Sequence, residues 1–197
     1  MAVYPRMTAP DLGPATSALA ALVTGVRDDQ MTAPTPCTEY AVGDLVDHIG
    51  GLTLAFTGAA RKEQVPGSEQ GGTGDASRLE PGWRDRIAND LAALAEAWRA
   101  EEAHHGMTQA GPVELPGEVA ALVTLNEVVV HGWDLAVATG QPYRPDPALV
   151  AACTAFVDGF EVGGDGPFGP PLPPPADATP MERLAAGTGR DPRWSRH

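Results

Sequence analysis

At 197 residues the chain suits one domain, or one domain with an ordered tail, and an apolar share of 43% is enough to bury a real core. The net charge of −13 comes without any basic stripe, which excludes a nucleic-acid partner, because binding a phosphate backbone needs clustered Lys and Arg. No apolar run approaches a bilayer span and no signal-like segment follows Arg6, so a cytoplasmic location without a membrane partner is expected.

Helical spacing dominates the chain. Leu12, Ala15, Leu19, Leu22 and Val26 recur at three and four residues, predicting a first amphipathic helix over 11–30. Pro34 and Pro36 break it, and Cys37 lies in the turn-rich stretch that follows. A second helix starts near Val42 and turns Leu45, Val46, Ile49, Leu52 and Phe56 inward. Residues 61–80 are polar and Gly-rich and read as a loop. A third helix fits 82–102, with Ile87, Leu91, Leu94 and Trp98 at helical intervals, and His104-His105 closes it as a solvated helix end.

Pro112 and Pro116 mark a further connection before the longest apolar helix, 118–138. Asp146-Pro147 is a start signal for a fifth helix carrying Leu149, Val150, Cys153, Phe156 and Val157. The Gly/Pro-rich run 163–175 cannot be regular, and a short helical turn over Met181–Ala186 follows it. No alternating stretch predicts a strand. The expected architecture is an all-α antiparallel bundle over 1–162, with 163–197 as a Pro/Gly-rich tail whose short helix packs on it.

Cys37 and Cys153 form no CxxC pair and cannot build a four-cysteine zinc site; Cys37 is expected to be inert. The chemistry points to the longest helix. Glu127 and His131 are four apart and leave it on one face, among residues expected to face the core. His48 sits among Leu45, Val46, Ile49 and Leu52 on the inward face of the second helix. A carboxylate and imidazoles facing a core are costly unless they pair or share a metal. Spacing alone leaves both outcomes open: an i,i+4 hydrogen bond, or a divalent metal held by His48, Glu127 and His131 with one position free for a ligand. His104 and His105 are a rival pair, but adjacent residues point to different sides of a helix. Asp44, one turn before His48, and Asp134, three residues after His131, are candidates to orient the imidazoles from behind or to add a ligand, while Asp44, in the helix's first turn, also suits the helix dipole. Trp133 leaves the ligand face by roughly 200° and is expected to anchor packing.

Thr35-Pro-Cys-Thr-Glu-Tyr-Ala-Val-Gly-Asp-Leu-Val-Asp-His48 resembles the start of the actinobacterial DinB-like family that includes mycothiol-dependent maleylpyruvate isomerases. Glu127-Val-Val-Val-His-Gly-Trp-Asp-Leu-Ala-Val-Ala-Thr-Gly-Gln141 resembles that family's second signature, and Arg183-Leu-Ala-Ala-Gly-Thr-Gly-Arg-Asp-Pro192 the tail of its metal-binding branch. The resemblance implies a DinB-like four-helix bundle with an additional C-terminal helix and a metal on His48, Glu127 and His131. Zinc is the first choice, with nickel, iron or manganese as alternatives. The relatives' metal holds the sulfur of a low-molecular-weight thiol as a thiolate, which implies mycothiol as a second cofactor and a small-molecule substrate as partner. Those isomerases carry a further C-terminal domain with a catalytic Arg. At 197 residues this chain is expected not to include it, and the motifs do not assign that Arg to Arg183, Arg190 or any other position.

The resemblance therefore carries the metal site further than isomerase activity. The expected function is a metal-dependent thiol transferase or isomerase. A metal Lewis-acid hydrolase, lyase or cyclase without a thiol, and a non-enzymatic metal-holding or ligand-binding protein, are the alternatives. Arg144, Trp133 and the 61–80 loop are candidate cofactor contacts, and a homodimer is compatible with the sequence.

Overall fold

The computed structural model describes residues 10–66, 73–159 and 169–196. Among them are seven α-helices and one two-stranded hairpin: α1 (Gly13–Thr24), α2 (Val42–Arg61), α3 (Trp83–Ala97), α4 (Glu101–His104), β1 (Met107–Ala110), β2 (Val113–Pro116), α5 (Gly117–Thr139), α6 (Pro147–Asp158) and α7 (Pro180–Gly187). The boundary expected at 162/163 and the centre of the 61–80 loop lie outside the described residues.

The helix ends follow from local chemistry. Pro147 opens α6 behind Asp146, whose carboxylate accepts the Ala148 N–H at 2.8 Å. Thr179 and Glu182 cap α7 reciprocally. Gly140 closes α5 at φ +71°, a left-handed conformation that glycine adopts without strain. At the start of α2 the preceding strand-like segment takes up two helix donors: Val42 N–H bonds to Ala33 O and Gly43 N–H to Met31 O. Asp44 takes up two more groups, accepting Ala41 N–H at 3.2 Å and Ala76 N–H at 2.9 Å.

Helix α1 packs against α3 and α5, and α2 packs against the same two, so four helices close a ring around one core. Leu19, Leu45, Ile87, Leu91, Leu94, Leu125 and Leu135 are fully buried there. Helix α6 leans on α5, and α7 packs on α6 and touches α5. Helix α5 is therefore apolar on almost every side, as a central helix must be. It is the one described helix long and apolar enough to cross a membrane, and 89% of that apolar window is buried within the protein.

Three expectations need correction. Residues 107–116, read as a plain connection, form an antiparallel hairpin with Met107 opposite Pro116 and Ala110 opposite Val113. Gly111 turns it at φ +59°, and Thr108 anchors it by donating to Ala59 O on α2. The first helix stops at Thr24, and Asp28–Gln30 is a separate 3-10 turn. The third stops at Ala97, where Trp98 and Arg99 bond back to the last turn and a new short helix starts at Glu101.

Part of the 61–80 loop is tied down rather than free. Asp47 accepts the Asp75 N–H and pairs with Arg78, and Gly74 lies so close to α2 that a Cβ there would collide with Asp44 O. A second close approach surrounds His131: a Cβ on Gly132 would meet Tyr143 Oη at 2.7 Å, and that hydroxyl donates to Val129 O at 3.1 Å. Gly132→Ala should thus lose stability, by about 1–3 kcal/mol, although alanine is the better helix former by about 1 kcal/mol. Gly51 on α2 is exposed, and a Cβ added to it would meet nothing within 4 Å, so Gly51→Ala should gain up to about 1 kcal/mol. Urea denaturation of the pair checks both signs.

Candidate metal centre

The site is built from two helices that face each other across the core. Helix α2 supplies His48, and α5 supplies Glu127 and His131 one turn apart. One donor atom from each of the three lies within 4.8 Å of the others. The His48 and His131 rings meet edge to face with centroids 5.1 Å apart, and the Tyr40 ring lies tilted against His48 with centroids 4.9 Å apart. His131 is buried at 5% exposure, while His48 and Glu127 are half-buried and open to a cleft. That cleft, about 460 Å³, is lined by the triad together with Cys37, Tyr40, Phe56, Asn126 and Arg190.

His131 is held at both nitrogens. Nε2 lies 3.0 Å from Glu127 Oε2, and Nδ1 lies 3.0 Å from Asp134 Oδ2. Asp134 is fully buried, and burying a carboxylate there is expensive without a partner. Arg190, from the segment after α7, meets it with two donors: Nη2 at 3.2 Å to Oδ2 and Nε at 3.4 Å to Oδ1. A third donor, Nη1, is taken by Thr188 O at 3.0 Å. The result is a chain of contacts, Arg190 to Asp134 to His131 to Glu127, running from the tail through the core to the cleft.

This wiring sets the charges. Burial pushes the His131 imidazole down, but hydrogen bonds to Asp134 and Glu127 and their negative charges overcome it and raise its pKa to about 9. Burial pushes the Glu127 carboxyl up, yet the bond to His131 and the charges of His131, His48 and Arg190 hold it below its ordinary value. The two carboxylates thus make this a place where positive charge is stabilised. Cys37 is held protonated, its pKa raised first by burial and then by Asp134.

The donor set suits a divalent ion of the zinc type: two imidazoles and a carboxylate, with the back nitrogen of one imidazole fixed by a buried carboxylate. Two metal–ligand bonds of about 2.1 Å span at most about 4.2 Å, so a small contraction of the 4.8 Å cluster would bring all three donors onto one ion.

The other sequence candidates fall elsewhere. The carboxylate of Asp44 accepts backbone N–H groups at the start of α2, which gives it a capping and loop-holding role. His104 is not a solvated end: it is half-buried, its Nε2 lies 2.9 Å from Trp98 O, and its ring packs on Trp98. His105 is exposed, 4.0 Å from Glu101. Trp133 is buried at 7% exposure, as expected of a packing residue. Sequence reasoning gives Arg190 no role beyond its place in a motif; its neighbour Gly189, at φ +83°, is the one local hint of a turn that could aim it inward.

Residues 12–136 match the family described as the mycothiol maleylpyruvate isomerase N-terminal domain. The chain belongs to this family. Two uncharacterized proteins of Mycobacterium tuberculosis, from strains CDC 1551 and H37Rv, are each 36% identical over 188 residues, covering 91% of this chain and 95% of their own. Among solved structures, the crystal structure of the mycothiol-dependent maleylpyruvate isomerase superposes with a TM-score of 0.51 at 16% identity, over 75% of this chain and 68% of that one. At that identity the likeness establishes the DinB-like fold. His48, Glu127 and His131 all fall inside the matched family region.

The raised His131 pKa has a consequence for the metal-free protein. A group whose folded pKa lies above its unfolded value stabilises the fold fully below the unfolded pKa, here 6.5, and loses that contribution as pH rises through about 9. Denaturation of the metal-free chain across this window should show the loss, and His131→Gln should flatten it. An unchanged slope in the variant would place the titrating group elsewhere.

Proposed function

We propose that this chain is a divalent-metal-dependent enzyme in which an external low-molecular-weight thiol is activated for attack on a small electrophilic substrate. The observation that carries the reading is the convergence of His48, Glu127 and His131 donors within 4.8 Å in the wall of an open cleft. A divalent ion held there would acidify a coordinating thiol and keep it as the thiolate. Zinc is the ion that two imidazoles and a carboxylate suit best, and the family's description supports mycothiol as the thiol.

The protein's own groups then have defined tasks. Asp134 fixes the tautomer and tilt of His131, and Arg190 holds that carboxylate in place by donating to it. Glu127 contributes the negative charge that balances a divalent cation. Leu52, Phe56 and Val130 give the cleft an apolar lining that accepts the uncharged part of a ligand. Cys37 lines the same cleft, but its thiol is held protonated, so the reactive sulfur comes from outside. The expected reactions are thiol transfer to, or thiol-dependent isomerisation of, a small molecule, in the cytoplasm where such thiols are kept reduced.

Mycothiol should bind metal-loaded protein and not metal-free protein, with release of a proton, because a thiol that is mostly protonated in solution becomes a thiolate when bound. Calorimetry in two buffers of different ionisation enthalpy counts that proton. His131→Ala should show neither binding nor release. Equal binding by loaded and metal-free protein, or none by either, rejects the thiol reading.

A further inference from the structure

The proline-rich run of the tail has no part in the metal centre. Pro170-Pro-Leu-Pro-Pro-Pro175 is five prolines around one leucine. Each proline ring fixes φ at about −65°, and a residue that precedes proline is pushed to an extended ψ. The two rules together impose a polyproline II helix of about 19 Å. That helix repeats every three residues, so its side chains stand in three rows: Pro170 with Pro173, Pro171 with Pro174, and Leu172 with Pro175.

The fold holds the run by one of these rows. Leu172 carries its only backbone N–H and donates it to Ala186 O on α7 at 2.9 Å, and Pro175 is half-buried. The other two rows, Pro170/Pro173 and Pro171/Pro174, are exposed, and Leu172 keeps 39% exposure between them. No described group donates to the carbonyls of residues 170–174. With its single N–H already spent, the run cannot pair as a β-strand; it offers flat apolar rings and acceptors only. The complement is a surface of flat rings that also carry donors, which tryptophan and tyrosine supply through the indole N–H and the phenol O–H.

We propose that the run 170–175 is a docking ledge for a partner protein that presents an aromatic-lined, proline-reading groove. The exposed pairs Pro170-Pro171 and Pro173-Pro174 each fill one slot between the partner's rings, and the free carbonyls accept from the donors that border those slots. The ledge is ordered before it binds, so docking costs it little conformational entropy. It also adjoins the chemistry. Gly169 lines the cleft, and Gly189, next to Arg190, packs so closely on it that a Cβ there would lie 3.0 Å from Gly169 Cα. A docked partner therefore stands at the rim of the cleft, whichever metal or thiol the cleft takes.

The probe is an isolated WW domain, whose groove is of this kind, isotope-labelled and titrated with the full chain while the NMR shifts of its groove residues are followed. The native chain should bind in that groove. Pro171→Ala/Pro174→Ala, which strips one exposed row, should weaken binding about tenfold or more. Pro175→Ala, in the row turned to α7, should change it less than about twofold. Circular dichroism confirms that both variants keep the native helix content. Equal binding by the double variant, or an equal loss in Pro175→Ala, overturns the proposal, because the exposed rows are then not what is read. Binding of a free 169–176 peptide but not of the native chain also overturns it, because another segment then covers the run. Binding of neither does the same.

Discussion

The site depends on one constraint: a carboxylate, Asp134, sits at full burial in the apolar centre of the bundle and must be matched by positive charge. Two groups match it. His131 meets it from the same helix, and Arg190 meets it from the tail with two donors. Truncating one partner of such a cluster leaves a buried charge unmatched, which is why these contacts constrain the fold more than their number suggests. The tail is thereby bound to the chemistry. Segment 188–190 is an arm of the site, although 50 residues lie between Thr139, where α5 ends, and Arg190.

The same constraint explains why the cleft is suited to a cation. With Asp134 fixed behind it, His131 presents its other nitrogen to Glu127, and both face His48 across the bundle. In the absence of a metal, a proton on His131 satisfies the two carboxylates, and this is the origin of the high pKa. A proton and a metal ion compete for the same nitrogen. The geometry that raises the pKa is therefore also the geometry that orients a ligand, and Gly132 makes room for Tyr143 to brace the adjacent turn.

Much of this was legible in the sequence because it follows from helical periodicity. The long helices carry apolar residues at three- and four-residue spacing, and their central portions lie where that spacing puts them. Glu127, His131 and Asp134 share a face by the same arithmetic, and the contact between Asp134 and His131 has the geometry their spacing allows. What periodicity does not encode was not legible. The hairpin at 107–116 is four residues a side, with a proline in its turn and another at its end, and is defined by a turn at Gly111 and a tie to α2. The break at Trp98 reflects tertiary packing against His104. Arg190 and Asn126 are distant from His48 in sequence, and only the folded chain shows that they border one cleft. Asp44's position left two roles open, support of the imidazole and service to the helix N-terminus, and its carboxylate takes the second by accepting backbone N–H groups.

The most direct measurement is metal stoichiometry and affinity in the purified protein and in His48→Ala, Glu127→Ala and His131→Ala, each checked by circular dichroism for an intact helical bundle. The expected result is one divalent ion per chain in the native protein, and affinity reduced on the order of a hundredfold or more in each folded variant, because every one of the three donors is required. Stoichiometric metal retained in all three variants after dialysis, or a native protein that binds no divalent ion above background, would contradict the assignment of this triad as a metal centre.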